Sequence, residues 1–217
     1  MADDLSLLPK DIFETGILPR ISYGNGVHLS GLSKQWKHLS TETPILNYHW
    51  KDFQRQQDME INDIISRILF QRKMPIKSLD INAAYRNLNT MTINHWVMCA
   101  AANQVECLSI RICYRAQAHN IVERSFALGK DLSTLPYKRG LTINLTPSLC
   151  LCDNLISVKI MFLDLPWIPR CFAGFQNLET LCYADNPNLG ASRFNQFWKA
   201  CPNLQNLAIR NCKIQCI

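Results

Sequence analysis

A chain of 217 residues, 47% apolar and 18% charged, carries enough apolar side chains for one sizeable core or two small ones, which excludes a disordered polar tail. Its net charge of +6 is uneven: residues 1–75 hold nine Lys or Arg against nine Asp or Glu, and residues 76–217 hold fourteen against eight. The basic residues are scattered, which favours a solvated surface over the basic, aromatic-interleaved stripe of a nucleic-acid binder. No stretch reaches the roughly 18 uninterrupted apolar residues of a membrane span, so no membrane partner is expected. Met1-Ala2-Asp3-Asp4 is acidic where a secretory signal would be basic, so the expected location is cytoplasm and/or nucleus. There the ten cysteines stay reduced. Cys150-x-Cys152 and Cys212-x-x-x-Cys216 are the close pairs, and neither spacing suits a structural zinc site. No metal and no cofactor is expected, and small buried thiols are the favoured reading.

In chain order, the first elements are helical. Leu8-Pro9 precedes Lys10-Asp11-Ile12-Phe13, a place where proline suits a first helical turn because that amide has no intrahelical partner. Apolar residues continue at Ile17, Leu18 and Ile21. A second apolar series, Val27, Leu32, Trp36 and Leu39, predicts another amphipathic helix with Lys34 and Lys37 outward. Residues 46–75 read as a linker or helical connection into the second part of the chain.

From Ile76 onward a nine-residue pattern recurs: apolar, two variable, apolar, one variable, apolar, two variable, and a small or polar closing residue. It starts at Ile76 (IKSLDINAA), Val105 (VECLSIRIC), Leu155 (LISVKIMFL), Leu178 (LETLCYADN) and Leu204 (LQNLAIRNC). Within each unit apolar and polar residues alternate, as in Leu79-Asp80-Ile81, which is the period of a strand with one buried face. The starts lie 29, 50, 23 and 26 residues apart, so the long interval predicts a hidden strand, for which Leu141-Thr142-Ile143 is the best candidate. Between strands, Ile93–Ala102 reads as a helix with Trp96, Val97 and Ala100 at helical spacing. Ser192–Ala200 reads as another, with Ser192 as N-cap and a stop at Cys201-Pro202. The pattern is similar to the leucine-rich-repeat signature L-x-x-L-x-L-x-x-N/C, and three of the five units close with Asn or Cys. One strand-turn-helix unit cannot bury its apolar face alone, so stacked neighbours must do it.

The opening segment is specific enough to compare with a family. Leu8-Pro9-Lys10-Asp11-Ile12-Phe13 and Leu32-Ser33-Lys34-Gln35-Trp36-Lys37-His38-Leu39 resemble the two ends of the F-box of plant F-box/leucine-rich-repeat proteins (F-box/FBD/LRR-like). Ile93-Asn94-His95-Trp96 and Ala200-Cys201-Pro202-Asn203-Leu204 are similar to recurring elements of that family's repeats, so the resemblance covers nearly the whole chain. It implies an α/β fold: a short helical F-box-like module over residues 5–45, then a leucine-rich-repeat solenoid, a right-handed α/β horseshoe segment of about five to six repeats, over 76–217. It implies the substrate-recognition subunit of an SCF (Skp-cullin-F-box) ubiquitin ligase, with the F-box docked on a Skp-type adaptor and through it on a cullin. The repeats would hold an unknown protein substrate for ubiquitination. By match to the motif, Leu8, Pro9, Ile12 and Phe13 would face the adaptor, supported by Ile17 and Leu18. Helix-in-groove docking needs only such an apolar stripe and a few anchors.

Departures from the pattern support an alternative, a non-ligase scaffold with a degenerate F-box. Leu8 to Trp36 is one residue longer than the usual spacing, so Ile17 is rotated about 100° off the stripe of Ile12. Pro19 stands inside the expected first helix, at a cost of about 3 kcal/mol or more, and Gly24-Asn25-Gly26 reads as a turn. At the other end, Lys213–Ile217 comes directly after a strand with no polar cap, so a truncated relative or a covering partner is the expectation.

The candidate substrate-binding residues are the outward positions of the strands: Ser78, Asp80, Cys107, Ser109, Ser157, Lys159, Thr180 and Cys182, with Asn206 and Ala208 after them. They are small and mixed, so they name no substrate class. No catalytic residue is assigned. His28, His38, His49, His95 and His119 lie in separate segments, and no nucleophile elbow, zinc-protease helix, phosphate loop or dinucleotide fingerprint occurs. The sequon Asn144-Leu145-Thr146 is a chance match in a cytosolic chain.

Overall fold

The computed structural model describes residues 12, 16, 43–49, 61–71, 75–84, 88–113, 143–186, 189–212 and 214–215. Their fold is α/β, organised around a six-stranded, wholly parallel sheet whose strands lie side by side in chain order. The strands are β1 (Ile45–His49), β2 (Ser78–Ala84), β3 (Cys107–Cys113), β5 (Ser157–Met161), β7 (Thr180–Ala184) and β9 (Asn206–Arg210). Two short ladders stand apart from it: β4 (Ile143–Asn144) beside β6 (Leu163–Asp164), and β8 (Leu189–Gly190) beside β10 (Ile214–Gln215). The helices among the described residues are α1 (Ile61–Gln71), α2 (Thr90–Ala102) and α3 (Ala191–Lys199), and a 3-10 helix runs over Pro147–Leu151.

The nine-residue pattern dictates the register. The third residue of every unit faces the third of the next, so Ser78, Cys107, Ser157, Thr180 and Asn206 form one row across the sheet. The entrances to the strands repeat as well. The carbonyl at the second position accepts two N–H groups from the following unit: Glu106 and Cys107 bond to Lys77 O at 2.9 and 3.0 Å, and Ile156 and Ser157 to Glu106 O at 2.8 and 3.0 Å. Glu179 and Thr180 bond to Ile156 O, and Gln205 and Asn206 to Glu179 O, in the same way.

In the first four units the side chains at the fourth and sixth positions fill the core. Leu79, Ile81, Leu108, Ile110, Val158, Ile160, Leu181 and Tyr183 are all buried, joined in one cluster with Trp96, Val97 and Phe197 from the helices. Burying each such aliphatic side chain contributes about 1.5–3 kcal/mol. Helix α2 follows its predicted face, burying Ile93, Trp96, Val97 and Ala100. It begins at Asn89, whose side chain accepts from Thr92 N at 2.9 Å, and Trp96 Nε1 donates to Ser66 Oγ of α1 at 3.0 Å. Phe197 of α3 packs on Phe175, with ring centroids 5.2 Å apart.

Three expectations are corrected. The long interval hides no strand of the main sheet among the described residues, because β3 pairs directly with β5; Ile143 does lie in a strand, but that strand pairs with Leu163–Asp164. The sixth strand stands at the other end. Ile45–His49 falls mostly inside the stretch read as a linker, pairs with β2, and is followed by α1. Thr43 occupies the first position of that unit, where the pattern expects an apolar residue, and is itself buried. Finally, α3 begins one residue before Ser192, with Gly190 as its cap and no side-chain capping bond.

The exits of β5, β7 and β9 share a left-handed residue at the eighth position: Phe162, Asp185 and Asn211 have φ of 62°, 57° and 52°, whereas β2 and β3 continue as strand through Ala83 and Ile112. Asn and Asp tolerate this conformation and Phe does not, so Phe162 carries local strain. The turn gives the eighth-position N–H a partner in the next unit: Phe162 N donates to Ala184 O at 3.2 Å and Asp185 N to Arg210 O at 2.9 Å.

Candidate functional site

Parallel sheets are normally covered on both faces. Among the described residues helices and turns cover one, and β1 and β5 alternate between half-buried outward residues and buried inward ones. The eight substrate-binding candidates all lie on this outward face, in two adjacent rows. Ser78, Cys107, Ser157 and Thr180 make the first, continued by Ile45 and Asn206 at either end. Asp80, Ser109, Lys159 and Cys182 make the second, continued by Asn47 and Ala208. The eight candidates are half-buried except Cys107, which is exposed, as is Asn206 at the end of its row. A third row, which the alternation alone did not single out, runs through His49, Asn82, Arg111, Met161, Ala184 and Arg210.

That third row supplies an ion pair on the face. Arg111 Nη2 donates to Asp80 Oδ2 at 2.7 Å across β3 and β2. The pair is monodentate: Asp80 Oδ1 and Arg111 Nε are buried without a hydrogen-bond partner, and so is Ser109 Oγ, two residues before Arg111 on β3. A buried polar group left unpaired costs about 1–3 kcal/mol. Lys77 Nζ and Glu106 Oε1, 3.9 Å apart and well exposed, add little.

Several of the described thiols are held in their neutral form by burial. Burial, with Glu106 nearby, raises the Cys107 thiol. Burial pushes Cys150 up to about 11, helped by Cys171, and Cys152 and Cys201 up to about 12. Thiolate is the reactive form, so these groups are inert near neutral pH. Cys152 and Cys201 are buried as expected of small core thiols, whereas Cys107 and Cys171 are exposed. Among the described residues no three His, Cys, Asp or Glu side chains gather as metal ligands would.

A groove of about 770 Å³ follows the strand entrances, lined by Glu106, Asn154, Ile156, Gln176, Glu179 and Gln205, among others. Its amides hold the fold together: Asn177 Nδ2 donates to Asp153 O at 3.1 Å and Asn203 Nδ2 to Gln176 O at 2.7 Å, each linking one unit to the one before. The signal for this ladder is the Asn-Leu pair that opens successive units at Asn154, Asn177 and Asn203. At the strand exits, the buried ninth-position Asn186 donates to Leu163 O at 3.0 Å and Asp164 Oδ1 at 2.6 Å, and also contacts the Tyr183 hydroxyl. Burial and the Asp164 charge raise the Tyr183 phenol, which stays protonated.

Of the adaptor-facing candidates, Leu8, Pro9, Phe13, Ile17 and Leu18 lie outside the described residues; Ile12 is 47% exposed.

These features define a class: an α/β chain whose parallel strands repeat one register and present a polar face. The resemblance to plant F-box/LRR-repeat proteins holds across nearly the whole chain. An Arabidopsis thaliana protein named for an F-box and LRR repeats is 22% identical over 214 residues, 97% of this chain and 38% of the relative. A second, similarly named, is 25% identical over 218 residues, 99% of this chain and 53% of the relative. A third, named for an F-box, an FBD and LRR repeats, is 23% identical over 208 residues, 95% of this chain and 40% of the relative. The chain thus spans about two fifths to half the length of these relatives. No protein-family model matches it, and no solved structure matches it significantly.

Proposed function

We propose that this chain is the substrate-recognition part of an SCF-type ubiquitin ligase. Residues 5–45 form the F-box that docks on a Skp-type adaptor, and through it on a cullin. Strand β1 together with residues 76–217 forms a leucine-rich-repeat solenoid, a right-handed horseshoe segment whose concave sheet face holds the protein to be ubiquitinated. The chain is non-catalytic and works in the cytoplasm and/or nucleus. The observation that carries the reading is the sheet itself: five pattern units pair in one register, and their outward residues collect on one half-open face. The similarity, which runs through the N-terminal segment into the repeats, supports the assignment of the F-box.

The second reading, a repeat scaffold without a ligase connection, is favoured by Pro19 and Gly24-Asn25-Gly26, which disrupt helices where an F-box requires them. Co-purification of the full chain with a Skp-type adaptor separates the two. The intact chain is expected to retain the adaptor, and Pro9→Ala with Ile12→Ala to lose it. An intact chain that captures no such adaptor at micromolar concentration leaves the scaffold reading standing.

A further inference from the structure

On the outward face, three hydrogen-bond donors meet where β3 and β5 pair. Ser109 stands directly opposite Lys159, with the roughly 4.8 Å strand spacing between their backbones. Arg111 lies two residues beyond Ser109, on the same side of the same strand. None has its full complement of partners. Ser109 Oγ and Arg111 Nε are buried and unpaired, and Lys159 makes no ion pair or hydrogen bond among the described residues. Asp80 takes Arg111 Nη2 at 2.7 Å, which holds the guanidinium on this face and leaves Nε without a partner among the described residues. The local balance is one carboxylate against two cations, and Arg210 adds a third cation two strands beyond Lys159.

We propose that Ser109, Arg111 and Lys159 bind a carboxylate of an acidic, extended segment of the partner protein. This deepens the proposed function and rests on its assignment of the sheet face as the partner-binding surface. Hydroxyl, guanidinium and ammonium all donate to a carboxylate, and charge-assisted hydrogen bonds of this kind are the strong ones. A carboxylate there also relieves the cost of the unpaired Ser109 and Arg111 atoms. Reaching them takes a rotamer change in Arg111, whose side chain is 28% exposed, and such changes are common on binding. The excess of basic over acidic residues after residue 75 steers an acidic partner in the same direction.

A random peptide library displayed on phage and panned on the full chain tests this, with Lys159→Glu for the charge and Ser157→Trp as a neutral block of the face. Both variants must keep the parent melting temperature, and Ser109→Ala serves as a milder second lesion where either does not. The expected result is selected peptides rich in Asp and Glu, blocked by Ser157→Trp, weakened about tenfold or more by Lys159→Glu, and weakened further by salt. Neutral or basic peptides that Ser157→Trp still blocks overturn the carboxylate site and leave the face as a binding surface. Peptides indifferent to Ser157→Trp overturn both.

Discussion

Strands β3 and β9 carry the same pattern and differ in what surrounds them. Leu108 and Ile110 of β3 are 3% and 1% exposed, whereas Leu207 and Ile209, at the matching positions of β9, are 40% and 37% exposed. The pattern sets which way a side chain points; what packs against the strand sets whether it is buried, since Leu46 and Tyr48 of the other edge strand, β1, are 1% and 0% exposed. In a stacked architecture stability therefore resides in the contacts between units, with little held within one strand.

The largest expected effect breaks that comparison directly. Ile110→Ala should cost about 2–5 kcal/mol, because it opens a cavity in packed surroundings. Ile209→Ala should cost about 1 kcal/mol or less, since the side chain already meets solvent. Urea denaturation of the two variants checks the ratio. Equal losses would mean that β9 is as well covered as β3.

The strand exits allow a second comparison. Asn186 and Cys212 close successive units, but Asn186 is fully buried and bonded to Leu163 O and Asp164 of the preceding unit, while Cys212 Sγ is half-buried, bonds Arg210 O of its own unit at 3.2 Å and reaches Tyr183 O of the preceding one only at 3.9 Å. Asn186→Ala should cost about 1–3 kcal/mol by leaving buried partners unpaired. Cys212→Ala should stay within about 0.5 kcal/mol. A similar loss for both would show the ninth position to be a matter of volume alone.

Gly174 sharpens the boundary of the packed region. Its φ is +98°, and a Cβ there would stand 2.8 Å from Ala200 O, the carbonyl that already accepts from Phe175 N at 2.6 Å. Gly174→Ala should therefore cost more than about 1 kcal/mol in the same denaturation experiment. Substituting Gly190, which has open space around it and an extended backbone, should cost much less.

The sheet was legible because its strands alternate strictly and repeat in one frame, so Leu79, Leu108, Val158, Leu181 and Leu207 align without any structural knowledge. Strand β1 escaped because Thr43 breaks the apolar first position, although Leu46 and Tyr48 keep the alternation. The long interval misled because spacing alone cannot distinguish a weak strand from an excursion, and Ile143 found a partner in Leu163 outside the main sheet. The outward rows followed from parity. The Asp80–Arg111 pair did not, because it joins the fifth position of one unit to the seventh of the next and emerges only once the register is known.

The smallest expected effect concerns charge at a strand exit. Asp185 is 5% exposed at φ 57°, and Asn211 Nδ2 donates to it at 3.0 Å. Burial raises its carboxyl above the ordinary 3.8, and the Asn211 bond offsets part of that rise. The folded state then holds the proton more tightly than the unfolded one, so stability falls as pH rises from about 3.8 through the higher folded value, and stays reduced above it. Asp185→Asn keeps an acceptor for Asn211 and a residue tolerant of the left-handed backbone, and it removes the buried charge. The variant should be slightly more stable than the parent at neutral pH and lose the advantage as pH falls through that window. Parallel melting curves across the acid range check it. Because Asn211 occupies the matching position one unit later, a gain in Asp185→Asn would mean that the exit turn uses the conformation and the hydrogen bond and has no need of the charge.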